Sequence, residues 1–192
     1  MNLFLLLACA SGPAPEVPPE PAAQLSSERD RPFVGAARWE LEGRVLTLAA
    51  GTLYADGAAI LAHVYDDPVG IDDALYVPAD PGEGDGGIYV VRVREGAVTV
   101  VPLVTSGRPD RLALSPDGSA VAYVGGHTGI TSVWALPTRG GVPRQLTNVG
   151  VQATPGEAPL GFVPLPERGP VRFDGASVVW TAEGTERRAT WR

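Results

Sequence analysis

The 192 residues predict an all-β fold, arranged as an incomplete propeller-like stack of about three antiparallel four-stranded units behind a disordered N-terminal tether. Three observations point there. Short β-rich runs are separated by Gly- and Pro-containing turns along most of the chain, with 24 Gly and 19 Pro in all. An Asp-Gly turn recurs at Asp56-Gly57, Asp117-Gly118 and Asp174-Gly175. No segment keeps a helical period long enough for a mixed fold.

The best-defined unit is 108–148. Leu112 and Leu114 alternate with smaller residues, and Ser115-Pro116-Asp117-Gly118 then places Pro at the second turn position and Gly where φ turns positive. Ala120–Val124 leaves that turn as a strand. Ser132–Leu136 follows a Gly/His/Thr loop, and Arg139-Gly140-Gly141 turns the chain into Pro143–Thr147. Four strands in about forty residues match one propeller blade. The ordered set S-P-D-G, A-Y-V, V-W, R-G-G, R-Q-L-T resembles the TolB-like propeller repeat, of the wider WD type. The resemblance implies a loop face that binds proteins.

Upstream, Thr52–Tyr54 leads into Asp56-Gly57 and Ala59–Tyr65 leaves it, preceded by a strand at Arg44–Leu48. Ile88–Arg94 and Ala97–Leu103, joined at Glu95-Gly96, read as the outer hairpin of that same unit, 44–107. Asp66 to Asp85 is then an insertion. Downstream, in 149–192, Val171–Phe173 and Ser177–Thr181 pair across Asp174-Gly175, with Arg187–Thr190 as a further strand. Closed propellers take about four to eight blades, so three units need something more. Another copy or a second chain would complete the stack.

At the N-terminus, the six-residue apolar run Leu3–Ala8 stands directly before Cys9, the only cysteine. It resembles a bacterial lipoprotein signal, which implies a signal peptide over 1–8 and lipidation of Cys9. Ala10 after it implies outer-membrane sorting, with the protein periplasmic or at the cell surface. Residues 9–32 are rich in Pro and Ala, cannot pack a core, and read as an extended tether for a folded domain over 33–192. With one cysteine, no intrachain disulfide forms.

Composition excludes several functions. All 15 basic residues are Arg, so there is no Walker-type, Schiff-base or general-base lysine. A net charge of −7 argues against nucleic-acid binding.

The candidate chemistry is sparse. Gly82–Gly87 satisfies G-x-G-x-x-G, yet it precedes a strand and carries Glu83 and Asp85, which would repel a pyrophosphate. Seven acids lie between Asp66 and Asp85. Asp66, Asp67, Asp72 and Asp73 are the metal candidates, but the calcium-loop spacing is missing and a solvated acidic loop is the expectation. His63 and Asp66 show H-x-x-D, and His127 is the second histidine of the chain. Two histidines do not make a zinc site. No G-x-S-x-G elbow occurs, and Ser115 belongs to a turn. Trp39, Trp134, Trp180 and Trp191 are expected to fill space between sheets.

The expectation is therefore a non-enzymatic, lipid-anchored cell-envelope protein that serves as a protein-interaction or scaffold module, with no cofactor. The alternative is an accessory, non-catalytic region of a cell-envelope hydrolase such as a lysostaphin-type metallopeptidase, its catalytic domain absent from this chain.

Overall fold

The computed structural model describes residues 35–82, 84, 86–126, 131–147 and 171–191. Cys9, the 1–8 and 9–32 segments, Glu83, Asp85 and His127 lie outside them.

The described residues are all-β, as expected. They form four antiparallel sheets. The first holds β1 (Ala37–Leu41), β2 (Arg44–Ala49), β3 (Thr52–Ala55) and β4 (Ala58–Leu61) in sequence order. The second holds β5 (Val69–Ile71), β6 (Ala74–Ala79), β7 (Gly87–Arg94) and β8 (Ala97–Val104). The third is β9 (Asp110–Leu114), β10 (Ala120–Gly125), β11 (Ser132–Pro137) and β12 (Arg144–Gln145). The fourth is β13 (Arg172–Asp174), β14 (Ser177–Ala182) and β15 (Thr185–Thr190).

The stretch read as one unit, 44–107, thus divides between two sheets. Its supposed insertion contains β5 and β6, the inner pair of the second sheet. The reason is local: β6 reads Ala-Leu-Tyr-Val-Pro-Ala, a run buried at all six positions, but flanking acid pairs hide its character in a charge count. Burial on both faces removes the alternation that marks a half-exposed strand.

Tight hairpins explain the short strands. Glu42-Gly43, Ala50-Gly51, Asp56-Gly57, Glu95-Gly96 and Glu183-Gly184 all have positive φ at both positions, the geometry whose twist matches a two-residue hairpin. Glycine removes the Cβ penalty at one of the two positions in each.

Apolar side chains between successive sheets form three cores. Leu46, Leu48 and Leu53 meet Leu75, Val77 and Val91 between the first two sheets, with Trp39 beside them. Tyr76, Ile88 and Val90 meet Val121, Tyr123, Trp134 and Leu136 between the second and third. Val124, Val133 and Ala135 meet Val178 and Trp180 between the third and fourth, where Trp191 also packs. The four tryptophans occupy the inter-sheet positions expected of them. Trp134 also donates its indole N–H to the Gly125 carbonyl at 2.9 Å. The innermost strands adjoin, β5 beside β9 and β9 beside β13.

The far face of the fourth sheet is polar. Alternation turns Val178, Trp180 and Ala182 toward the third sheet and leaves Val179 on the opposite face, in register between Arg172 and Arg188. Arg172 pairs with Glu186 at 2.5 Å, and Arg188 reaches Asp174 at 3.1 Å and Glu186 at 3.2 Å. Each exposed pair adds little stability. Their effect is to make this face of the fourth sheet hydrophilic.

Candidate loop-face site

Antiparallel alternation sorts every connection to one of two ends of the sheets. The hairpins at 42–43, 56–57, 72–73, 95–96 and 116–119 lie at one end, hereafter the turn face. The links 62–68 and 105–109 between sheets, together with residues 80–82, 86, 126 and 131 that adjoin β6, β7, β10 and β11, lie at the other, the loop face.

The Ser115–Gly118 motif sits on the turn face and is fully engaged there. Ser115 Oγ donates to Asp117 Oδ1 at 2.7 Å and accepts from the buried Ala120 N–H at 2.9 Å. Asp117 Oδ1 also accepts from Ser119 N–H at 3.1 Å and Ser119 Oγ at 2.7 Å. Thr138 Oγ1 donates to the Gly118 carbonyl at 2.7 Å, tying the turn to the end of β11. Gly118 has φ of 64°, and a Cβ there would stand 2.9 Å from Ile71 Cδ1 of the second sheet. The hydroxyl of Ser115 has both a donor and an acceptor bond and serves the turn.

The loop face carries the denser set of polar groups. Tyr65 O–H donates to the Pro109 carbonyl at 3.0 Å, and the Arg108 guanidinium lies 5.0 Å from the centroid of the same ring. Burial pushes the Tyr65 phenol well above its ordinary range, with Arg108 opposing the rise. Asp66 Oδ2 accepts from the Arg111 backbone N–H. That N–H is free to reach it because β9 pairs irregularly: Asp110 opposes Val124 and Ala113 opposes Ala122, so two residues, Arg111 and Leu112, face the single residue Tyr123. A bulge of this kind releases a backbone group from the ladder and redirects the chain. Asp110 and Arg111 make an ion pair at 3.6 Å. His63 Nδ1 is 3.0 Å from the Asp80 carbonyl, while Asp80 N–H donates to the His63 carbonyl at 3.0 Å.

Three residues of this face hold left-handed backbone without a hairpin to require it. His63, Arg108 and Arg111 have φ of 54°, 41° and 53°, and none belongs to an X-Gly turn. Each costs about 1–2 kcal/mol. Such strain concentrates where a side chain must be held in a particular place.

The acidic candidates separate along this geometry. Asp66 and Asp67 precede β5, while Asp72 and Asp73 form the turn after it, at the opposite end of the sheet. Asp73 pairs with Arg94 at 3.6 Å. Burial, then the charge of Asp66, raises the Asp67 carboxyl above its ordinary value. Among the described residues no three His, Cys, Asp or Glu side chains gather as a metal site would need. Of the three glycines of G-x-G-x-x-G only Gly87 is tightly packed: a Cβ there would stand 2.2 Å from the Val104 carbonyl oxygen, whereas one on Gly82 meets nothing within 4 Å and one on Gly84 only Asp80 Oδ1 at 4.0 Å. A Cβ on Gly86, at an intervening position, would stand 2.9 Å from Tyr65 Oη.

Sequence reasoning reached Asp66 as a metal candidate and missed its bond to Arg111, and it passed over Tyr65 and Arg108. No motif marks them. The one available signal was the pair of charged links between β-rich runs, His63–Asp67 and Arg108–Arg111.

No family model and no curated protein matches the chain. Among solved structures it is similar to a gluconolactonase from Xanthomonas campestris, at 17% identity and a TM-score of 0.46, covering 81% of this chain. The chain spans 60% of the length of that protein. One expectation is corrected on this finding: a solved structure to which the chain is similar is an enzyme, so non-enzymatic character is not carried forward. At this level of likeness no activity passes to the present chain either.

Proposed function

We propose that this chain is a lipid-anchored protein of the cell envelope whose TolB-like propeller sheets present their loop face to a protein partner. The observation that carries the reading is the strained, cross-braced pair of inter-sheet links. Tyr65 and Asp66 of one link bond to Pro109 and Arg111 at the other, and His63, Arg108 and Arg111 keep left-handed backbone that no hairpin demands. Mixed acidic and basic groups in a fixed array suit a polar protein surface, where charge complementarity sets specificity and encounter rate. The net charge of −7 directs the reading away from nucleic acid. The hydrophilic outer face of the fourth sheet leaves the loop face as the more structured surface.

The anchor rests on Cys9 in its lipobox-like setting, and the Pro-rich 9–32 segment supplies reach from the bilayer. Outer-membrane placement follows the same signal. Fractionation of cells that express the chain tests it: Cys9→Ser should move the protein from membranes to the soluble fraction, and unchanged fractionation would refute the anchor. For the loop face, capture of the acylated protein from its envelope should recover a defined partner that Arg108→Ala loses and Arg139→Ala, on the turn face, retains. Equal recovery by both variants would count against the assignment.

A further inference from the structure

We infer that the outer edge of β8 is a self-association site, at which two copies of the chain join their second sheets by antiparallel β8–β8 pairing centred on Thr99. Among the described residues β8 is the last strand of its sheet, and it differs from the other outermost strands. β4 has four residues and β12 only two, too short to recruit a partner strand. β15 carries Glu186, Arg187 and Arg188. Shortness, charge, proline and bulges are the usual protections of an exposed edge. In β8 the last two, Pro102 and the register shift opposite Ile88 and Tyr89, guard only its end and leave 97–101 without a protection of either kind. Shortness and charge are both missing: its eight residues, Ala-Val-Thr-Val-Val-Pro-Leu-Val, are uncharged, and Val101 is 52% exposed.

The register follows from the hairpin. Glu95-Gly96 is a two-residue turn with both φ positive, so Arg94 and Ala97 exchange their backbone hydrogen bonds, and the pattern alternates along β8. Ala97, Thr99 and Val101 therefore bond inward to β7. Val98 and Val100 point their N–H and C=O groups outward. Pro102 is the next outward position and has no N–H, so the edge offers a complete donor–acceptor set only at 98 and 100.

A second copy satisfies that set in one arrangement. Pairing Val98 with Val100 of the other copy, and the reverse, makes four backbone hydrogen bonds around a two-fold axis. Thr99 then faces Thr99 across the axis as a non-hydrogen-bonded pair, with Cα atoms about 4.5 Å apart. Ala97 comes opposite Val101 and covers its exposed side chain. Pro102 falls just past the paired segment and ends it. The self-complementarity of this short segment selects a copy of the chain as occupant, since an isologous contact needs the same patch on both sides.

The test uses the full chain in a Cys9→Ser background, which removes the only native thiol. Under mild oxidation, Thr99→Cys should form an intermolecular disulfide, because the axial spacing fits disulfide geometry. Val101→Cys should not, since its two copies lie about 13 Å apart along the strands in this register. Sedimentation velocity of the unmodified Cys9→Ser chain should show a concentration-dependent shift toward twice the monomer mass. Thr99→Lys sets two ammonium groups face to face and should abolish that shift while leaving the far-ultraviolet circular dichroism unchanged. A monomer at all concentrations, no cross-link at 99, or a cross-link at 101 in preference to 99 would each overturn the proposal. Loss of loop-face capture with β8 dimerisation intact would refute the functional reading alone.

Discussion

Replacing Ser115 by alanine removes one oxygen from a turn in which that oxygen does two things. It accepts from Ala120 N–H, which is buried, and donates to Asp117. Losing the bond to Asp117 costs about 1 kcal/mol net, and leaving the buried Ala120 N–H without an acceptor costs about 1–3 kcal/mol. A loss of about 2–4 kcal/mol is expected, a large part of the ~5–15 kcal/mol typical of a domain. Asp117→Asn keeps an acceptor oxygen and gives up only charge assistance, so it should cost less, about 1 kcal/mol. Gly118→Ala should fall between them: the left-handed φ costs about 1–2 kcal/mol, and the new methyl meets Ile71 at the end of a side chain that can swing aside. Urea denaturation followed by tryptophan fluorescence measures all three. With an m-value of about 2 kcal/mol per molar, Ser115→Ala should lower the midpoint by about 1–2 M. A change under about 0.5 kcal/mol for Ser115→Ala, or a larger effect from Asp117→Asn, would refute the account of this turn.

Other perturbations test other parts of the fold. Gly87→Ala drives a methyl into the Val104 backbone carbonyl at 2.2 Å, so β7 and β8 must separate; destabilisation of about 3 kcal/mol or more is expected in the same assay. Glu95→Asn puts a residue suited to left-handed backbone before Gly96 and should raise stability by about 0.5–1 kcal/mol, with no change in fold by circular dichroism. Burial raises the phenols of Tyr65 and Tyr123 above their ordinary values. For both, the folded state favours the neutral form. Their contribution is fully present below the unfolded value of about 10 and is lost as pH rises above it. Stability against pH should thus fall steeply above about pH 10, and Tyr65→Phe should soften that fall.

Legibility from sequence tracked how local the determinant is. The third sheet and the β13–β15 hairpins were readable because turn chemistry, Ser115–Gly118 and Asp174-Gly175, lies beside the strands it joins. β5 and β6 were not, because a strand buried on both faces has no alternation, and the acids around it dominate its composition. The division of sheets went wrong at that point. The loop-face array was invisible for a different reason: Tyr65–Pro109 and Asp66–Arg111 span more than forty residues, and their bonds depend on a bulge in β9 that no local signal announces. Even so, the charge of the two links was on view. The edge character of β8 required knowing the strand order, since Ala97–Val104 reads equally well as a central strand.

The central claim is that a protein partner is met at the loop face. A photo-activatable amino acid placed at exposed Asp67 or Thr105 on that face, and at exposed Pro116 or Arg139 on the turn face, tests it in the intact envelope. The account predicts one discrete adduct from positions 67 and 105 and none from 116 and 139. Adducts from the turn face alone, or of equal yield from both faces, would contradict it.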